Sequence, residues 1–273
     1  MSTTKSPTGD DAEGDVYVIS FPKCGRTWLR VMMAKAISVA HGIPMGVCQD
    51  LNLSDFSNIT PSIPRIVFRH DDRVEWRKPS ELSRDKSYYR NRKVVFLLRD
   101  IRDVAVSHYF QRTLRDGNPF TGGLDEYLTE EEGSVKTCLA FWNIWHAHQD
   151  VPGSFLLTSY EQLTADTHGE LGRVLSFCGL PTVDEVLGQA VEFASFTSMH
   201  SMEESDALGT WRLRPSTPGD PESYKTRRGV VGGFRDYLTS EQTRYVHSLV
   251  CQYLAPQWRS AALAADGPVC PPS

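Results

Sequence analysis

An apolar run at 15–21, DVYVISF, gives way to the polar turn PKCGR, and residues 27–41, TWLRVMMAKAISVAH, then carry apolar positions at helical spacing up to Gly42. The first run is short, β-branched and aromatic, the pattern of a strand buried on both faces. The second predicts a helix that Gly42 ends. The same alternation continues along the chain. RIVFR (65–69), KVVFLLR (93–99) and GSFLLTSY (153–160) read as further buried strands, and 101–115, 135–149, 182–195 and 239–254 as helices. Residues 200–226, rich in Ser, Pro, Gly and charge, predict a long loop or lid. Apolar strands separated by helices imply a single-domain α/β fold, a central parallel sheet flanked by helices. No internal repeat or linker divides 15–260, so 1–14 is expected to be a disordered lead and 261–273 a loose tail.

Composition sharpens the picture in three places. The chain of 273 residues has a net charge of −5, which argues against a general nucleic-acid surface and makes any basic site a local one. No apolar stretch approaches the ~18 residues of a membrane span, and the polar N-terminus is no signal peptide. Cysteines 24, 48, 138, 178, 251 and 270 form no CxxC pair, so neither a zinc site nor a disulfide framework is expected. The expectation is a cytoplasmic protein of a reducing compartment.

In parallel α/β sheets ligands bind where strands turn into helices, and the PKCGR turn is such a place. Free backbone N–H groups and the positive end of a helix dipole meet there, Gly25 permits close approach, and Lys23, Arg26 and Thr27 add donors. This is the chemistry of a phosphate cradle, and the plainer alternative is an ordinary surface turn with two cations. The segment matches GxxxxGK[ST] only in part, with Ser20 for the first Gly and Arg26 for the Lys.

FPKCGRTWLR (21–30) resembles the YPKSGTTWL loop of the cytosolic-type sulfotransferases, which hold the 5′-phosphosulfate of 3′-phosphoadenosine 5′-phosphosulfate (PAPS). VVFLLRDIRDVAVSHYF (94–110) is similar to the 3′-phosphate element of that family, and RRGVVGGFRDYLT (227–239) to its late RKGxxGDWKxxFT signature. The resemblance covers roughly 16–240. It implies a P-loop-like domain with PAPS as sulfuryl donor and no metal. Lys23, Cys24, Gly25, Arg26, Thr27 and Trp28 would hold the phosphosulfate and adenine. Arg99, Ser107, Arg227, Arg228 and Gly229 would hold the 3′-phosphate, and Tyr160 and Phe196 would add adenine contacts. Each has a plainer reading: Trp28 as a core anchor, Arg99 as the partner of Asp100 or Asp103, and 227–229 as a solvated basic turn.

Sulfuryl transfer is an in-line displacement in which negative charge grows on the leaving oxygen. The resemblance makes Lys23 the group that meets it. His70, directly after a strand in FRHDD, stands where the family carries its catalytic base, and Asp71 or Asp72 is the fallback. Cys24, near a helix N-terminus, is open to a lowered pKa or to plain packing. The acceptor would be a small molecule with a hydroxyl or, second, an amine, held by loops 42–64, 71–92, 112–134 and 200–226. FWNIW (141–145) and SYYR are either its aromatic wall or core. The family dimer motif falls on Arg235, Thr239, Ser240 and Arg244, with Arg for its closing Glu, which leaves monomer or homodimer open. Two rivals stand beside this reading: a P-loop kinase or NTPase, and a non-catalytic binder of a bisphosphate nucleotide.

Overall fold

The computed structural model describes residues 13–117, 119–264 and 270. Four parallel strands, β1 (Val16–Ser20), β2 (Ile66–Arg69), β3 (Lys93–Leu98) and β4 (Ser154–Ser159), form one sheet in the order β2-β1-β3-β4. Val18 pairs with Phe68 on one side and Val95 on the other, and Leu98 pairs with Ser159. All four carboxyl ends therefore lie along one edge. The chain leaves β1 for β2 on one side and later returns to β3 on the other, so the turn after β1 lies at the point where strand order reverses. Every residue of β1 is buried, which requires a helical layer on each face.

The helices are α1 (Arg26–His41), α2 (Ser54–Ile59), α3 (Ile101–Leu114), α4 (Leu124–Thr129), α5 (Val135–Ala147), α6 (Tyr160–Ala165), α7 (Thr167–Cys178), α8 (Asp184–Phe193), α9 (Phe196–Glu204), α10 (Ser240–Tyr253) and α11 (Pro256–Leu263). One group, α1 with α7 and α8, packs together, and α3, α5, α10 and α11 form a second. Gly42 ends α1 at φ 64°, a conformation that costs a glycine little. Asp100 caps α3 by accepting the Arg102 N–H at 2.9 Å.

The single α/β domain and parallel sheet agree with the sequence reading, and three expectations are corrected. The segment 200–226 is not wholly a loop, because α9 occupies it to Glu204. The chain is not loose from 261, because α11 runs to Leu263 and buries Ala262 and Leu263. Beyond it, Cys270 forms a disulfide with Cys251, which the scattered cysteines had argued against. The rest of the tail, and residues 1–12 of the lead, lie outside the described residues. The aromatic rings of 141–145 belong to the core, where Phe141 and Trp145 lie against Phe96 at 5.6 and 5.5 Å between centroids. Tyr88 and Tyr89 pack edge-on against Tyr17.

Candidate active site

Along the carboxyl edge of the sheet opens a cavity of about 960 Å³. Nine cationic side chains and three carboxylates line it, so the basic site is local, inside a chain that is acidic as a whole. Each strand delivers a predicted group to it: β1 the Lys23–Trp28 turn, β2 His70, β3 Arg99 and β4 Tyr160.

The turn after β1 is tightly set. Lys23 has φ 71° and Gly25 φ 92°, and a Cβ on Gly25 would stand 2.6 Å from the Tyr160 ring, so only glycine fits. Gly25 caps α1 with no side chain accepting from the first turn, which leaves those N–H groups facing the cavity region. The Arg99 Nη1 donates to the Lys23 carbonyl at 3.0 Å and fixes the loop from β3. Burial, and then the cations Lys225, Arg115 and Arg99, hold the Lys23 ammonium well below its ordinary pKa. Cys24 is different. Its thiol points into the core, absent from the cavity wall, and burial pushes its pKa up, so of the two readings left open for it, packing holds.

His70 is held by both nitrogens. Its Nδ1 lies 2.9 Å from the Ser20 carbonyl, which can only accept, so the proton sits on Nδ1. Its Nε2 is then bare and accepts from the Arg26 guanidinium at 2.6 Å. Burial, with Arg26 next, holds the imidazole well below its ordinary pKa and keeps it neutral at pH 7. The fallback bases are committed elsewhere: Asp71 accepts from Lys86 at 2.8 Å and from the Tyr89 hydroxyl at 2.6 Å, and Asp72 from the Ser83 N–H. His108 touches the cavity but packs as a core residue, bonded to the Tyr127 hydroxyl at 2.7 Å, with burial lowering its pKa to about 3.

The far end of the cavity is aromatic. Trp28 donates its Nε1–H to the Ala194 carbonyl at 2.8 Å and sets its ring 5.6 Å from that of Tyr160. The Arg99 guanidinium lies 4.3 Å from the centre of the Tyr160 ring. Phe196 is 46% exposed, and a Cβ on Gly229 would strike its ring at 2.3 Å. Ser107 lines the same wall. Arg227 and Arg228 are present too, Arg227 paired with Glu222 at 3.0 Å and Arg228 with Asp236 at 2.6 Å. Of the predicted site residues, only Cys24 fails to line the cavity.

A family model described as "Sulfotransferase domain" matches residues 13–257. The chain belongs to the sulfotransferase family. It is 28% identical to sulfotransferase 1B1 of Mus musculus over 257 residues, covering 84% of this chain and 79% of that one. It is 23% identical to cytosolic sulfotransferase 1 of Arabidopsis thaliana over 268 residues, covering 86% and 77%. Among solved structures it is similar to mouse sulfotransferase SULT7A1 complexed with PAP, with a TM-score of 0.60 at 20% identity over 89% of this chain and 86% of that one. It is similar also to retinol dehydratase in complex with retinol and PAP, with a TM-score of 0.61 at 17% identity over 88% and 80%. This sulfotransferase thus carries the family that its three motifs resemble. Among its described residues no helix is long and apolar enough to cross a membrane.

The motifs left several residues in and behind the cavity wall unseen. Lys225 donates to the Gln111 side chain at 3.0 Å, and burial with Arg115 and Arg26 brings its pKa down to about 7. Glu203, fully buried on α9, accepts from the N–H groups of Lys225 at 2.6 Å and Thr226 at 2.8 Å and faces Arg115 at 3.6 Å. Arg30 follows Arg26 by one helical turn, a spacing that places both on one face of α1. That spacing was readable in the sequence, whereas the contacts of Glu203 span 22 residues or more and carry no local signature.

Proposed function

We propose that this sulfotransferase moves a sulfuryl group from PAPS to the hydroxyl of a small molecule, with His70 as general base and Lys23 at the leaving phosphate. The carrying observation is that a histidine with a fixed, unprotonated Nε2, bonded to Arg26, lines the same cavity as an uncapped, glycine-tightened helix N-terminus.

The residues present fit the donor. Gly25 leaves room for a close backbone approach, and the buried Arg99 Nε has no hydrogen-bond partner among the described residues. Lys23, Arg26, Thr27 and the backbone N–H groups of the turn, that of Cys24 included, would hold the phosphosulfate. Arg99, Ser107, Arg227, Arg228 and Gly229 would hold the 3′-phosphate, with Trp28, Tyr160 and Phe196 around the adenine. Bound PAPS supplies an activated sulfuryl group whose departure leaves a phosphate anion.

The remaining work falls to the chain. His70 takes the acceptor proton at Nε2 while the Ser20 carbonyl holds the Nδ1–H, so the ring needs no tautomer change. Arg26 occupies Nε2 without a ligand and must turn toward the donor anion to release it. Burial and the cationic neighbours weigh against the Lys23 ammonium; a polyanion between them favours it, and it then faces the bridging oxygen as charge develops.

His70→Ala is expected to lower transfer from labelled PAPS by about 10²–10⁴-fold, the span of general-base catalysis, with the affinity for adenosine 3′,5′-bisphosphate (PAP) kept within about threefold. Transfer undiminished in that variant would remove His70 from the chemistry.

A further inference from the structure

The sheet order separates the two ends of the cavity. Arg99 and Tyr160 follow β3 and β4, with the Trp28 ring beside Tyr160, whereas His70 and Phe68 belong to β2 at the opposite edge. On that β2 side the wall carries a second cationic group. Arg30 is 5% exposed, lies 4.5 Å over the Phe68 ring and makes one marginal bond, from Nη2 to the Phe68 carbonyl at 3.5 Å. Its Nε, although buried, has no hydrogen-bond partner among the described residues, and no carboxylate lies within ion-pair distance of the guanidinium. Arg212, reaching over from the 211–213 turn, and Arg26 line the cavity with it. Two carboxylates of the cavity are committed elsewhere, Asp103 to Arg99 and Asp116 to Arg112.

A buried guanidinium is costly unless it is paired and hydrogen-bonded. Burial, then Arg212 and Arg26, weigh against the charge of Arg30. A water-filled wall of neutral acceptors would not relieve like-charge crowding; an anion would. Phe68, Trp211 and Leu213 stand beside these arginines in the cavity wall, so the anion would be carried on an apolar body.

We infer that Arg30, with Arg212, forms an anion subsite on the acceptor side of the cavity, so that the acceptor is a hydroxylated apolar molecule bearing a carboxylate. The inference rests on the sulfuryl-transfer reading for the word acceptor, but the arginine cluster can be tested apart from it. The subsite would orient the acid away from the donor phosphates and turn the hydroxyl toward His70.

The test is titration of the PAP-saturated protein, and of the protein without PAP, with three matched pairs, each acid beside its methyl ester: 3-(4-hydroxyphenyl)propionate, 16-hydroxyhexadecanoate and lithocholate. At least one acid is expected to bind tenfold or more tightly than its ester. Arg30→Met, which keeps the bulk and removes the charge, should bring that acid to the level of its ester, while PAP affinity stays within twofold. Arg212→Met, at a more exposed position, should cut the preference at least threefold and serves if the Arg30 variant does not fold. Absence of acid preference in all three pairs, or its survival in the folded Arg30 variant, would overturn the subsite. So would a tenfold loss of PAP affinity in that variant, because Arg30 would then belong to the donor. If the unmodified protein does not bind PAP, the donor reading falls instead, and titration without PAP still judges the arginines.

Discussion

Lys225 is the cavity residue most sensitive to conditions near neutrality. Burial and the neighbouring Arg115 and Arg26 bring its pKa to about 7, so in the free protein it is a cation below that pH and a neutral amine above it. An anionic ligand prefers the cation, so PAP affinity carries a component that falls as pH rises from 6 to 8.5. Calorimetric titrations across that range should show a slope that Lys225→Gln loses; equal slopes in both proteins would place Lys225 outside the binding field. His70 behaves oppositely in its visibility. Its pKa lies well below 6.5, so its protonated form is absent at neutral pH and the acid limb of kcat/KM should fall below pH 6.5. A midpoint above 6.5 would assign that limb to another group.

The same scale shows what a sequence displays and what it hides. Glycine at 25 was legible because a strand, a turn and a helix met there, and the ring of Tyr160 at 2.6 Å explains why nothing larger is accepted. The inward turn of the Cys24 thiol was not legible, because a side chain beside a helix N-terminus can face either way until the backbone angles of Lys23 are known. The commitment of Asp71 to Lys86 and Tyr89 was equally hidden, although all three residues lie within a stretch of the same loop.

Among the elements, strands and long helices were readable from their periods, and the short helices were not. Six-residue helices such as α2, α4 and α6 offer fewer than two turns in which a repeat could show. α7 is long enough, but its neighbour α6 ends only two residues before it, which blurs the pattern. The fastening of 222–229 to α9 is a tertiary feature. Glu203 accepts the N–H groups of Lys225 and Thr226 and the Thr226 hydroxyl, all between 2.6 and 2.8 Å. Hydrogen bonds to a buried charge contribute about 1.5–3 kcal/mol each when a partner is removed. Glu203→Gln should therefore weaken the hold on the segment that presents Lys225, Arg227 and Arg228. Amide exchange in 223–229 should speed up about tenfold or more, and PAP affinity should drop by about tenfold. Unchanged exchange there would show that the segment is held by other contacts, such as those of Arg115 to the Ser223 and Arg214 carbonyls.

At the scale of the whole molecule, one sheet edge collects a loop from each strand, and a chain of net charge −5 concentrates nine cations around a single cavity. The fold and its three motifs were visible in order along the chain. The division of the cavity into an aromatic end and an arginine-rich β2 end became visible only with the strand order, because β2 and β3 lie on opposite sides of β1. The Cys251–Cys270 disulfide was hidden for a related reason: spacing alone says nothing of two cysteines 19 residues apart.

The central claim, a donor site that couples a phosphate cradle to a 3′-phosphate clamp, is tested most directly by calorimetric titration with PAP in EDTA beside ATP. Tight binding of PAP and at least a hundredfold weaker binding of ATP are expected, with no help from Mg²⁺. Preference for ATP, or binding only when Mg²⁺ is restored, would contradict it.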